Sequence, residues 1–192
     1  MTTLETPRLL LRPFREEDLD AYAALYADPE VTGHMGGPFD RAAAWRSMAI
    51  CLGHQQLRGY SPSAVVEKET GRLVGRGGLW KPEGWPGLEV SWLLPRWAWG
   101  RGYATELGMA CRDHAFTELG AERLISVIRP GNAEAVAVAL RIGHRLIGQA
   151  KLDGNMCLVF GQDAPKAPKA LTAALAPAWP EPDGQRGVSG PR

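Results

Sequence analysis

Residues 88–106 leave this chain few ways to fold. In Leu-Glu-Val-Ser-Trp-Leu-Leu, Leu88, Val90, Trp92 and Leu94 alternate with Glu89, Ser91 and Leu93, which is the period of a strand. Pro95 ends it, and Trp97-Ala98-Trp99-Gly100-Arg101-Gly102 follows. Ala104, Leu107, Cys111, Ala115 and Leu119 then recur at helical spacing, with Gly120 as a stop. Two glycines between a strand and a helix let backbone approach a ligand closely. The first amides of the helix lack intrahelical acceptors, and its dipole adds partial positive charge there. That combination suits phosphate oxygens, although a tight strand-to-helix turn uses the same residues. A dinucleotide fingerprint needs a third glycine, and Ala104-Thr105-Glu106 follows Gly102 instead. The P-loop pattern of glycine, four residues, Gly-Lys and Ser or Thr occurs nowhere.

The flanking sequence predicts a mixed α/β domain. A short strand at 8–14 precedes a helix at about 16–27, where Leu19, Tyr22 and Tyr26 recur. Asp40 caps a second helix that ends by Gly59, with Trp45, Met48, Ala49 and Leu52 as its stripe. Strands at 63–67 and 73–79 flank Glu69-Thr70-Gly71-Arg72. After the 103–119 helix come a strand at 124–128 and a helix capped by Asn132, with Val136, Ala139 and Leu140 inward and Gly143 as its stop. A hairpin through Asp153-Gly154 closes the domain. The expectation is one central sheet of six to seven strands flanked by about four helices. Residues 1–163 form this domain; 164–192, with seven alanines and six prolines, read as a flexible tail.

Charge narrows the function. Residues 1–163 carry 18 basic against 19 acidic side chains, so no basic stripe offers itself to nucleic acid. No run is long and apolar enough for a membrane span. Cys51, Cys111 and Cys157 are far apart and show no metal-ligand spacing with the four histidines. The expectation is a cytoplasmic protein with reduced thiols, no metal, and no nucleic-acid or membrane partner.

Four stretches, in order, carry a resemblance: TPRLLLRPFREEDLDAYAALYADPEV, LEVSWLLP, WAWGRGYATELGMACRDHAF and RPGNAEAVAVALRIGHRLIG. Across about residues 4–162 the chain resembles the GNAT acetyltransferases, specifically the branch that includes ribosomal-protein N-terminal acetylases. The resemblance implies acetyl-CoA as co-substrate and an amine, on a protein N-terminus or a small molecule, as acceptor. It implies that backbone amides of Trp99, Gly100, Arg101, Gly102, Tyr103, Ala104 and Thr105 bind pyrophosphate. The family pattern of Gln or Arg, two residues, Gly, one residue, Gly or Ala falls on Trp99, Gly102 and Ala104, with Trp99 departing from it. Trp92, Leu93 and Leu94 would lie on a strand splayed from its neighbour, leaving backbone groups for pantetheine. Asn132 matches an asparagine that contacts the pantetheine arm, and it is equally good as a helix cap.

Direct transfer needs a neutral amine, and a lysine-type amine is only about one part in two thousand neutral at pH 7. A proton acceptor therefore helps. Glu89 is the candidate base, in keeping with the resemblance, its alternative being a solvated strand carboxylate. Ser91 shares its face and would orient a water or substrate. Many relatives protonate the departing thiolate with a tyrosine on the helix that Asn132 caps; residues 133–142 contain none, and His144 stands where the branch commonly has Phe. The reading is an acetyl-CoA-dependent N-acetyltransferase, with solvent protonating the thiolate. Its rivals are a catalytically silent acyl-CoA-binding module and a protein-interaction module acting through the tail.

Overall fold

The computed structural model describes residues 3–165. The elements are β1 (Leu4–Glu5), β2 (Leu9–Arg12), α1 (Leu19–Ala27), α2 (Pro29–Thr32), α3 (Arg41–Arg58), β3 (Pro62–Glu67), β4 (Leu73–Trp80), β5 (Glu89–Leu93), α4 (Tyr103–Thr117), β6 (Arg123–Ile128), α5 (Ala133–Arg141), β7 (Arg145–Leu152) and β8 (Asn155–Asp163). Local signals account for most boundaries. Asp40 and Asn132 accept hydrogen bonds from the amides of Ala43 and Ala135 and so start α3 and α5. Gly59, at φ +81, ends α3.

One eight-stranded sheet runs in the order β1-β2-β3-β4-β5-β6-β8-β7. Every neighbouring pair is antiparallel except β5–β6, which is parallel. The count exceeds the expected six to seven because a two-residue strand, β1, pairs with β2 before the turn at Thr6. A one-turn helix, α2, brings the helices to five; its N-terminus is capped by Asp28. The predicted tail lies almost wholly outside the described residues.

The centre of the sheet is covered on both faces. Against α4 pack Leu9, Leu11, Val65, Val74, Leu79, Val90 and Leu124, with Tyr103, Leu107, Cys111 and Ala115 from the helix. On the other face α1 and α3 bring Tyr22, Leu25, Tyr26, Ala44, Met48 and Cys51 down onto Ala64 and Leu93. The expected stripe of α3 is corrected here. Ala44, Met48, Cys51 and His54 are buried, whereas Trp45 is half exposed and Ala49 and Leu52 face water. The apolar row starts one residue earlier than bulk suggested, because small Ala44 fits against α1 where Trp45 does not. Leu140 is likewise exposed, Ala139 being the buried residue of α5, and Leu119 lies beyond the end of α4.

Gly75 pairs with Val65 in the sheet at φ +125, and a Cβ there would meet the Leu93 carbonyl oxygen at 2.1 Å. Only glycine fits between those strands. Gly53 in α3 has nothing within 4 Å of the position of a Cβ. Gly75→Ala should therefore lower stability by about 3 kcal/mol or more, while Gly53→Ala should raise it by about 0.5–1 kcal/mol. Urea denaturation of both variants measures the contrast.

Candidate active site

The two parallel strands barely touch. Glu89 opposite Ile125 is the one register pair between β5 and β6, and the Ile125 amide donates to the Leu88 carbonyl at 2.8 Å. Beyond it the strands separate. Side chains bridge the base of the split: Ser126 Oγ donates to the Val90 carbonyl at 3.0 Å, and the Val127 amide donates to Glu89 Oε1 at 3.2 Å. Trp85 Nε1, from the β4–β5 loop, donates to Glu89 Oε2 at 2.7 Å. Glu89 is only 6% exposed, so the solvated-carboxylate alternative is set aside. Burial raises its pKa from 4.5 to about 7, with the two donated hydrogen bonds opposing.

Above the split the chain turns into α4. Gly102 occupies the N-cap position at φ +79, and no side chain caps the helix. The first-turn amides of α4 thus stay open, unlike those of α2, α3 and α5. The turn is held from outside. Arg8 Nη1 donates to the Arg101 carbonyl at 2.9 Å, and Arg8 Nε donates to Glu106 Oε2 at 2.6 Å. Thr6 Oγ1 and the Arg8 amide donate to Glu106 Oε1 at 2.6 and 2.8 Å. From β3, Glu67 accepts from the Tyr103 hydroxyl, from Arg101 Nη2 at 3.0 Å and from Thr70 Oγ1 at 2.7 Å. The Tyr103 hydroxyl, then Thr70, holds the Glu67 carboxyl below the usual range. The Arg8 and Arg101 guanidinium groups lie 4.6 and 4.7 Å from the centre of the Tyr103 ring.

A cavity of about 860 Å³ occupies the split. Trp92, Leu93 and Leu94 line it from β5 and its end, Trp99, Gly100, Gly102, Tyr103, Ala104 and Thr105 from the turn and α4, and Asn132 from the start of α5. These are ten of the expected cofactor residues. Arg101 does not line it, because its side chain leaves for Glu67. Tyr103 offers only its start-of-helix backbone, its ring being core. Asn132 Oδ1 is committed to the Ala135 amide at 3.0 Å, and the residue borders the cavity as well. Trp99 Nε1 donates to the Leu94 carbonyl at 2.8 Å, tying the turn to the end of β5.

Several walls were missed in the sequence: Pro7, Val31, Ala98, Glu106 and Met109, and the α5 face of Glu134, Ala135, Ala137, Val138 and Arg141. Apolar Ala135 and Val138 at helical spacing were the available signal. Glu89 and Ser91 do not line the cavity, but lie on β5 between its closed end and Trp92. His144 is buried, with no hydrogen-bond partner on either ring nitrogen. Burial, then Arg112, lowers its pKa to about 4, so it is neutral at pH 7. His34 is exposed. Among the described residues no His, Cys, Asp or Glu cluster could hold a metal, and no helix is long and apolar enough to cross a membrane.

The family model for the acetyltransferase (GNAT) domain matches residues 8–145, a span that includes the split strand pair and the uncapped start of α4. The chain belongs to the GNAT family. The uncharacterized N-acetyltransferase p20 of Bacillus licheniformis is 32% identical over 139 residues, covering 71% of this chain and 78% of that protein. The crystal structure of an acetyltransferase from Agrobacterium tumefaciens str. C58 is similar at TM-score 0.77 and 35% identity, over 84% of this chain and 94% of that one. A ribosomal L7/L12 α-N-protein acetyltransferase, RimL, in complex with coenzyme A shares the fold at TM-score 0.70 and 17% identity, over 85% and 98% of the two chains. The chain is thus an acetyltransferase-family protein with a GNAT fold.

The raised Glu89 pKa has a stability signature. The folded state holds this proton up to about pH 7, whereas the unfolded state releases it near 4.5, so stability falls as pH rises between those values. A shift of that size corresponds to about 3 kcal/mol. Glu89→Gln, which cannot ionise, should flatten this segment and gain on the wild type above pH 7. Chemical denaturation at pH 5 and pH 8 tests it; equal slopes for both proteins refute the assignment.

Proposed function

We propose that this protein is an acetyl-CoA-dependent N-acetyltransferase that moves an acetyl group directly to a primary amine, on a protein N-terminus or a small molecule. The observation that carries this is the uncapped start of α4, opening through Gly100 and Gly102 onto the 860 Å³ cavity in the β5–β6 split. A pyrophosphate suits those amides. The edge of β5 at Trp92–Leu93 that faces the cavity suits the amide groups of a pantetheine arm, as an added strand would. Asn132 adds a side-chain amide at the far wall. The same fold carries coenzyme A in the RimL complex, and the four stretches quoted above favour that branch.

Within this reading Glu89 is the base. A group titrating near neutrality accepts a proton at pH 7 without holding it too tightly. Its carboxylate lies off the cavity, so a water held at Ser91 carries the proton from the ammonium to Glu89. The neutral amine nitrogen attacks the thioester carbonyl, and the tetrahedral intermediate gives up a nitrogen proton to solvent and collapses with loss of the coenzyme A thiolate. With a pKa near that of a cysteine thiol, about 8.5, the thiolate leaves without a dedicated acid and takes its proton from solvent. His144, buried and neutral, is not that acid. Three buried free cysteines fit a reducing, cytoplasmic setting. A near-neutral buried carboxylate beside the split favours turnover over silent binding.

Thiol release from acetyl-CoA, followed over N-terminal peptides and small amines, tests the activity. Glu89→Gln should lower kcat/KM by about 10–100-fold with acetyl-CoA affinity kept, and the wild-type rate should rise with pH through about 7. Gly102→Val, a branched residue at φ +79, should weaken coenzyme A binding in calorimetry by at least about 100-fold. Unchanged affinity in a folded Gly102→Val protein would remove the turn from the site.

A further inference from the structure

Arg76, on β4, points away from α4 into the layer beneath α1 and α3, and its charge is badly served. Nη1 donates only long hydrogen bonds, 3.3 Å to Tyr26 Oη and 3.4 Å to Ser47 Oγ. Those two hydroxyls already satisfy each other at 2.7 Å. Nε is closed to solvent and has no partner at all. No carboxylate among the described residues forms an ion pair with Arg76. Arg12, by contrast, meets both oxygens of Asp18 at 2.7 and 2.8 Å. A guanidinium taken out of water without an anion is costly, and buried charges in proteins are ordinarily paired.

The position of Arg76 says where its anion comes from. It stands opposite Leu93 in the β4–β5 ladder. Leu93 both lines the cavity and belongs to the core beneath α1 and α3; Val31 of α2 does the same. Arg76 itself does not line the cavity; Leu93 and Val31 are the wall that the cavity shares with the face Arg76 occupies. By strand alternation Leu93, Ser91 and Glu89 follow one another on that face. The stretch from Leu93 to Glu89 is about 13 Å of strand, and the long arginine side chain shortens the gap. Arg76 is near enough for its charge to act on Glu89, yet the two form no ion pair. Residual exposure of Arg76 leaves an approach to it.

Granted the acetyltransferase reading above, on which this rests, we propose that Arg76 binds a carboxylate of the acceptor, so that the substrate is a small amine that also carries a carboxylate: an amino acid. The acid docks two-pronged on the guanidinium fork, as carboxylates do. Its ammonium then lies toward Ser91 and Glu89. Recognition is by a partly buried cation that an anion completes, so neutral amines of the same size leave Arg76 unpaired and are disfavoured.

Paired substrates test this without any variant. α-, β- and γ-amino acids are each compared with their own carboxamides in the thiol-release assay. The wild type should favour an acid over its amide by about tenfold or more in kcat/KM. Arg76→Met, of similar volume, should bring that ratio to within about twofold of one, and Arg76→Lys should keep part of it. Turnover of amides as fast as acids, or a preference kept by Arg76→Met, overturns the proposal. Calorimetry provides a second arm independent of turnover. N-acetylglycine should bind the wild type at least about tenfold tighter than it binds Arg76→Met; equal binding, or none to either, overturns the proposal as well. Failure of the wild type to bind acetyl-CoA sinks the acetyltransferase reading instead, while the N-acetylglycine titration still judges Arg76.

Discussion

The separation of β5 from β6 governs this structure. Parallel strands that part after a single register pair leave backbone donors and acceptors with nowhere to go, and each would be costly in a dry interior. Side chains repay part of that debt at the closed end, where Ser126 and Glu89 take over ladder positions. At the open end Trp99 Nε1 takes the Leu94 carbonyl, and the gap beyond is a cavity. A glutamate recruited to bridge backbone is necessarily buried, which is why its proton affinity rises toward neutrality. Structural need and chemical usefulness thus fall on one carboxylate.

The turn above the cavity is held by distant chain segments. Thr6 and Arg8 grip Glu106 and the Arg101 carbonyl from one side; Glu67 grips Tyr103 and Arg101 from the other. Their side chains occupy the outer flank, so the open amides of α4 face inward without local competition. Preorganisation of this kind lowers what a ligand must pay in ordering the loop.

Much of this was legible in order along the chain, because strands and helices announce themselves locally. The alternation of 88–94, the caps Asp40 and Asn132 and the Asp153-Gly154 turn each act within a few residues, and all emerged where expected. What escaped depends on distance. Arg8 and Glu106 are 98 residues apart, and nothing near either names the other. Burial of Glu89 was invisible for a similar reason: a lone acid on an alternating strand reads as wet until Trp85 and Val127 close over it. In α3 bulk is a poor guide to burial: Ala44 is fully buried while Trp45 stays half exposed. At the turn, ten of the eleven expected cofactor residues line one cavity, and Arg101 is drawn off by Glu67.

The strand order β6-β8-β7 bears on how the molecule is made. The last strand is not an edge; it slots between β6 and β7 and pairs with both. Until residue 163 is free to move, β6 presents a bare edge and β7 has no neighbour in the sheet. Unpaired edges of apolar strands such as Arg123–Ile128 are templates for wrong partners. A nascent chain of this protein is therefore exposed to aggregation until β8 is in place, and a truncation of a few residues inside β8 harms it far more than its distance from the cavity would suggest.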